Sequence, residues 1–161
     1  MADMATGIPA ELRLTLDPAP SIETLRALGD AINTFHARTV PLDAQRFALL
    51  LHAQDGGLVG GLFGVLAWQW LFVQALWVDD AWRRRGIGRA LLAQAEAHAV
   101  AAGCHSVWLD TFQARGFYLA LGYQEFGALE NYPRGQTRWF LRKRLGDDVA
   151  WNSQRRPQDS A

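Results

Sequence analysis

Residues 71–92 read LFVQALWVDDAWRRRGIGRALL, and this stretch decides the fold. Leu71 to Val78 is dense in aromatic and branched apolar residues, the composition of a strand. Asp79 to Arg85 is a polar connector. From Ile87 the apolar positions Ile87, Leu91, Ala95, Ala99 and Ala102 recur along one helical stripe, with Arg89 and Glu96 off it. Gly103 is placed to end that helix. Ser106 to Thr111 (SVWLDT) reads as a strand again. A strand, a helix and a second strand make a crossover unit, so the two strands are expected side by side and parallel.

Working upstream, Leu58 to Val78 is nearly uncharged over a length close to a membrane span. Glycines and glutamines interrupt it, and the reading is two buried strands with a turn near Gln69-Trp70. Arg46 to Gln54 is a further strand, joined by the hairpin signal Asp55-Gly56-Gly57. Three strands with short turns form an antiparallel meander. Earlier still, Glu11 to Leu16 alternates polar and apolar residues and predicts a strand, ended by Asp17-Pro18 and Pro20. Ser21 can cap a helix running to about His36, whose face Ile22, Leu25, Leu28, Ile32 and Phe35 is expected to pack on something.

Downstream, Ala114 to Leu121 fits a short helix stopped by Gly122. Tyr123 to Ala128 and Thr137 to Arg144 read as two final strands around a loop holding Pro133 and Gly135. The expectation is a mixed α+β fold in the order β-α-β-β-β-α-β-α-β-β. Its sheet has about seven strands, an antiparallel meander followed by a parallel βαβ unit, with helices on both faces. Residues 1–10 read as a flexible N-terminus, 11–145 as one domain and 146–161 as a polar tail.

Composition narrows the function classes. The 161 residues are half hydrophobic and carry no formal net charge, which speaks against a generic nucleic-acid binder. Sixteen basic residues include a single lysine, Lys143, and the local cluster Arg83-Arg84-Arg85 with Arg89 close behind. Cys104 is the sole cysteine, so an intrachain disulfide is impossible, and a small buried thiol is the expectation. Four scattered histidines show no metal-ligand spacing, so no metal is expected. The N-terminus lacks a basic start and an apolar run, so no signal peptide is read and a cytoplasmic location is expected.

The turn Arg85-Gly86-Ile87-Gly88 lies between a strand and an amphipathic helix. Glycines let backbone N–H groups converge and let a ligand approach without meeting a Cβ. The helix adds unpaired N–H groups and the positive end of its dipole. Such a turn suits an anion, above all a pyrophosphate, and arginines on it can bind further phosphates. The P-loop pattern is absent, and Leu91 stands where the dinucleotide fingerprint needs its third glycine.

These residues resemble the GNAT superfamily of N-acetyltransferases. Its motif Arg/Gln-x-x-Gly-x-Gly/Ala is matched by Arg83, Gly86 and Gly88. Its helix with Phe-Tyr followed by Leu-Gly-Phe/Tyr is matched by GFYLALGY at Gly116–Tyr123, within a longer run, FQARGFYLALGY, similar to a bacterial subgroup. The resemblance implies an acetyl-CoA-dependent enzyme that acetylates a primary amine of a small molecule or peptide by direct transfer, without nucleic acid or membrane. Homodimers are compatible with it.

It further implies that amides and side chains from Arg84, Arg85, Gly86, Ile87, Gly88 and Arg89 hold the pyrophosphate, with Arg83 opening the motif. Leu76, Trp77 and Val78 would meet the pantetheine arm, through backbone groups of Leu76 and Val78, where two parallel strands splay apart. Tyr118 would be the general acid for the leaving thiolate, and an N–H near Leu76 the oxyanion donor. Many relatives carry a glutamate on the strand before the turn. Gln74 and Ala75 occupy that stretch here and cannot take a proton. Asp110, Glu130, His36 and His52 are the remaining candidates for a base. An acyl-CoA sensor without catalysis is the alternative reading.

Overall fold

The computed structural model describes residues 8–9 and 11–146, so the expected tail from residue 147 on and most of the expected flexible N-terminus lie outside the described residues. The chain divides into two compact units at Leu42/Asp43. The first unit holds one long helix, α1 (Ile22–His36). Ser21 caps it as expected, its side chain accepting the Thr24 N–H at 3.1 Å. One expectation fails in this unit: the segment 11–16 forms no strand. A strand needs a ladder partner, and the described residues of this unit include no second strand.

The second unit is a mixed sheet of six strands in the order β1-β2-β3-β4-β6-β5. The strands are β1 (Gln45–His52), β2 (Leu58–Ala67), β3 (Trp70–Val78), β4 (Ser106–Thr111), β5 (Gln124–Glu130) and β6 (Thr137–Arg144). Six replaces the expected seven because 11–16 does not join. The meander β1-β2-β3 is antiparallel, and β3 and β4 are parallel neighbours. The uncharged run 58–78 is thus two strands, turned at Trp68 and Gln69, both at positive φ (50° and 63°). Among the described residues no helix is long and apolar enough to cross a membrane.

Helix α2 (Ile87–Ala101) carries the crossover and packs on β2 and β3. Its buried side chains are Leu92, Ala95 and Ala99: Ala95 and Ala99 lie on the expected stripe, Leu92 joins them, Ile87 and Leu91 are half-buried at the margin, and Ala102 is exposed. Small alanines bring the helix close to the sheet, over Leu62, Leu71, Val73, Val107, Leu109 and Leu141. Cys104 joins this core, and burial pushes its thiol pKa up. Leu71 is fully buried at its centre. Leu71→Ala is expected to cost about 2–5 kcal/mol, the range for buried leucines, with the urea m-value unchanged. Equilibrium urea unfolding checks this.

Candidate active site

The parallel pair is short. β3 and β4 pair only at Trp70↔Ser106, Leu71↔Val107 and Phe72↔Trp108, although both strands run on. Just beyond, Phe63 faces Ala75 while Gly64 faces Val73, which leaves Gln74 as an extra residue on β3. A bulge of this kind bends its strand. β3 therefore departs from β4 where the bulge falls, and the expected splay is present. The Asp79 N–H bonds Val59 O at 2.9 Å, toward β2. Alternation along the strand turns the backbone groups of Leu76 and Val78 the other way, toward the gap.

The connector after β3 is a 3-10 turn (Asp80–Trp82) capped by the Asp79 carboxylate, which accepts the Ala81 N–H. Arg83 braces it: its Nε donates to Val78 O at 2.9 Å and a terminal nitrogen pairs with Asp80 at 2.6 Å. One backbone acceptor on the gap side of β3 is thereby taken by the chain itself. Arg84 and Gly86 then adopt positive φ, 59° and 78°, around Arg85. Gly86 has no side-chain cap to offer α2, and the first helical bond is Ala90 N–H to Gly86 O. The N–H groups of Ile87, Gly88 and Arg89 precede it without an acceptor in the helix.

A Cβ on Gly88 would meet only the Phe117 ring, at 3.5 Å, an ordinary contact. The protein's own packing does not require glycine there. Gly88 stands on the lining of the cleft described below.

Helix α3 (Arg115–Leu119) follows β4 through a turn in which Thr111 Oγ1 accepts the Ala114 N–H at 3.1 Å. It carries Phe117 to Gly88 and buries Tyr118, which is 7% exposed. The Tyr118 ring meets Phe117 and Tyr123 edge to face, with centroids 5.0 and 5.5 Å apart. Burial first, and the Asp110 charge second, raise its pKa from 10.0 to about 12. The group is a neutral phenol, able to donate a proton.

These parts surround one cleft of about 630 Å³, lined by Leu76, Trp77 and Val78 of β3, by Arg83, Arg84, Gly86, Ile87, Gly88 and Arg89 of the turn, and by Tyr118. Arg85 alone of the expected binding residues is not on this lining; its guanidinium lies 5.0 Å over the Trp82 ring. The structure adds Trp82, Gln113, Ala114 and Phe117. The last three belong to the FQARGFY run, whose spacing signals them; nothing in the local sequence singles out Trp82.

The candidate bases of the second unit are not on the lining. Asp110 pairs with Arg138 at 3.3 Å, His52 ends β1, Glu130 ends β5, and His36 ends α1 in the first unit. Among the described residues no three His, Cys, Asp or Glu side chains group to hold a metal ion.

A bulged strand leaving its parallel neighbour, over a turn of free amides, makes this an acyltransferase architecture. The chain belongs to the acetyltransferase (GNAT) family, whose model matches residues 17–123. It is 42% identical over 102 residues to blasticidin-S acetyltransferase of Streptomyces morookaense, covering 62% of this chain and 75% of that protein. It is 32% identical over 137 residues to acetyltransferase Atu2258 of Agrobacterium fabrum, covering 83% of this chain and all of that protein. The crystal structure of an acetyltransferase from Bacillus cereus superposes with a TM-score of 0.72 at 27% identity, covering 81% of this chain and 98% of the other.

Proposed function

We propose that this enzyme transfers an acetyl group from acetyl-CoA directly to a primary amine of a small molecule. The observation that carries the reading is the single cleft on which the splayed strand, the free amides of the turn and Tyr118 all open. The amides of Ile87, Gly88 and Arg89 receive the pyrophosphate, and Arg84 and Arg89 add charge. Leu76 and Val78 supply backbone N–H groups to the pantetheine amides, and the Leu76 N–H stabilises the oxyanion.

The amine nitrogen attacks the thioester carbonyl and forms the C–N bond. The C–S bond breaks as Tyr118 donates its proton to the sulfur. The proton shed by the amine leaves through water, because β3 presents Gln74 and Ala75 where a carboxylate would serve. The relative that acetylates blasticidin S supports a polar, amine-bearing small molecule as acceptor.

Thiol release from acetyl-CoA across a panel of amines, with blasticidin S, simple amino acids and a basic peptide, tests this. Acceptor-dependent release with one-to-one acetylamide formation is expected for a small-molecule amine. CoA binding with no transfer to any amine would favour a sensor instead.

A further inference from the structure

We propose that Glu96, Tyr123 and Lys143 form a network that positions Tyr118 for proton donation. The proposal rests on the general-acid reading of Tyr118. Glu96 projects from α2, Tyr123 follows α3, and Lys143 comes from β6. The Tyr123 hydroxyl donates to Glu96 Oε1 at 2.8 Å, and Lys143 Nζ donates to Oε2 at 2.7 Å. One carboxylate thus ties α2 to β6 and to the connection between α3 and β5, with both oxygens engaged.

Tyr123 in turn holds Tyr118 twice. Its N–H donates to the Tyr118 carbonyl at 3.1 Å, and the two rings stand edge to face at 5.5 Å, 65° apart. Tyr123 is almost fully buried, so its ring is a fixed wall rather than a mobile neighbour. The sole lysine of the chain is spent on this carboxylate. An exposed arginine would suffice for charge balance, but here the ammonium also lies 5.5 Å over the Tyr123 ring.

None of the three side chains lines the cleft, so they act through Tyr118 and are positioning residues. Displacing a catalytic group slightly is costly even when the change lies away from the chemistry.

The test uses the full chain and the variants Tyr123→Phe and Glu96→Gln. The chain has three tyrosines, so ¹³C-tyrosine NMR resolves Tyr118 individually. In both variants, with and without CoA, the Tyr118 ring signal is expected to shift or broaden. An unmoved signal in both overturns the proposal without any acceptor.

Turnover is measured alongside by thiol release. Each variant is expected to lose roughly tenfold in kcat with acetyl-CoA KM within about twofold, as for a misplaced catalytic group. In a Tyr118→Phe background Tyr123→Phe is expected to have no further effect, since its action passes through the lost hydroxyl. Additive losses, with Tyr118→Phe itself impaired, overturn the positioning role alone. Wild-type turnover in Tyr118→Phe overturns the general-acid reading and the catalytic part of this proposal with it.

Discussion

Gly88→Asp is expected to abolish CoA binding while leaving the fold intact. The fold is spared because a Cβ at this position meets only the edge of the Phe117 ring at 3.5 Å, and Gly88 needs no positive φ. Binding is lost for two reasons. The carboxylate projects into the space a pyrophosphate needs, and it places like charge beside it at the helix N-terminus, where an anion otherwise gains from the dipole. A loss of at least roughly 100-fold in affinity is expected, a few kcal/mol at 1.4 kcal/mol per decade.

Calorimetric titration with CoA measures the affinity, and a thermal melt confirms folding. Retained affinity in a folded variant would refute the turn as the pyrophosphate site. The contrast with Gly86 is instructive. Its φ of 78° makes it a conformational glycine, so changing it strains the turn itself and cannot separate folding from binding.

Tyr118→Phe is expected to lower kcat by about 10²–10³-fold, roughly 3–4 kcal/mol, with CoA affinity nearly unchanged. The substitution keeps the ring that packs on Phe117 and Tyr123 and removes only the hydroxyl. Within the described residues that hydroxyl takes part in no hydrogen bond, so its removal orphans no partner there. The pH profile carries a second expectation. Burial raises the Tyr118 pKa to about 12, so the donor stays protonated through the range where an ordinary tyrosine at 10.0 would ionise. Ionisation of Tyr118 is therefore expected to lower kcat only above the range where an ordinary tyrosine would ionise. Steady-state kinetics against pH with a saturating acceptor measures both. Unaltered kcat in the Phe variant would remove Tyr118 from the chemistry.

Much of the second unit was legible in its residues. The Asp55-Gly56-Gly57 hairpin, the strands Ser106–Thr111 and Thr137–Arg144, and the glycine ending α2 all come from signals a few residues long. Turn chemistry and periodicity are local, and a compact sheet agrees with them. The first unit shows the opposite. ELRLTL alternates as well as any strand here, yet a strand exists only where another backbone completes its hydrogen bonds.

The active site divides along the same line. Arg83, Gly86, Gly88 and Tyr118 were named by motif, and the structure gathers all four at one cleft. The roles within the motif needed tertiary geometry. Arg83 braces Val78 and Asp80, and Arg85 stacks on Trp82. Arg83 and Arg84 both stand on the cleft lining, and Arg85 does not. Three consecutive arginines cannot be told apart by type, because their roles depend on backbone φ and on which neighbour lies within reach.

The turn that opened the reading was thus determined by sequence alone as a glycine-bearing, positively charged strand-to-helix junction. Only the tertiary structure decided what faces it. The bulge at Gln74 opens the sheet beside it, and α3 brings Phe117 and Tyr118 across from a strand away. Glu96, read only as lying off the helix stripe, became the anchor of Tyr123 and Lys143, because residues far apart in the chain meet only when the sheet forms.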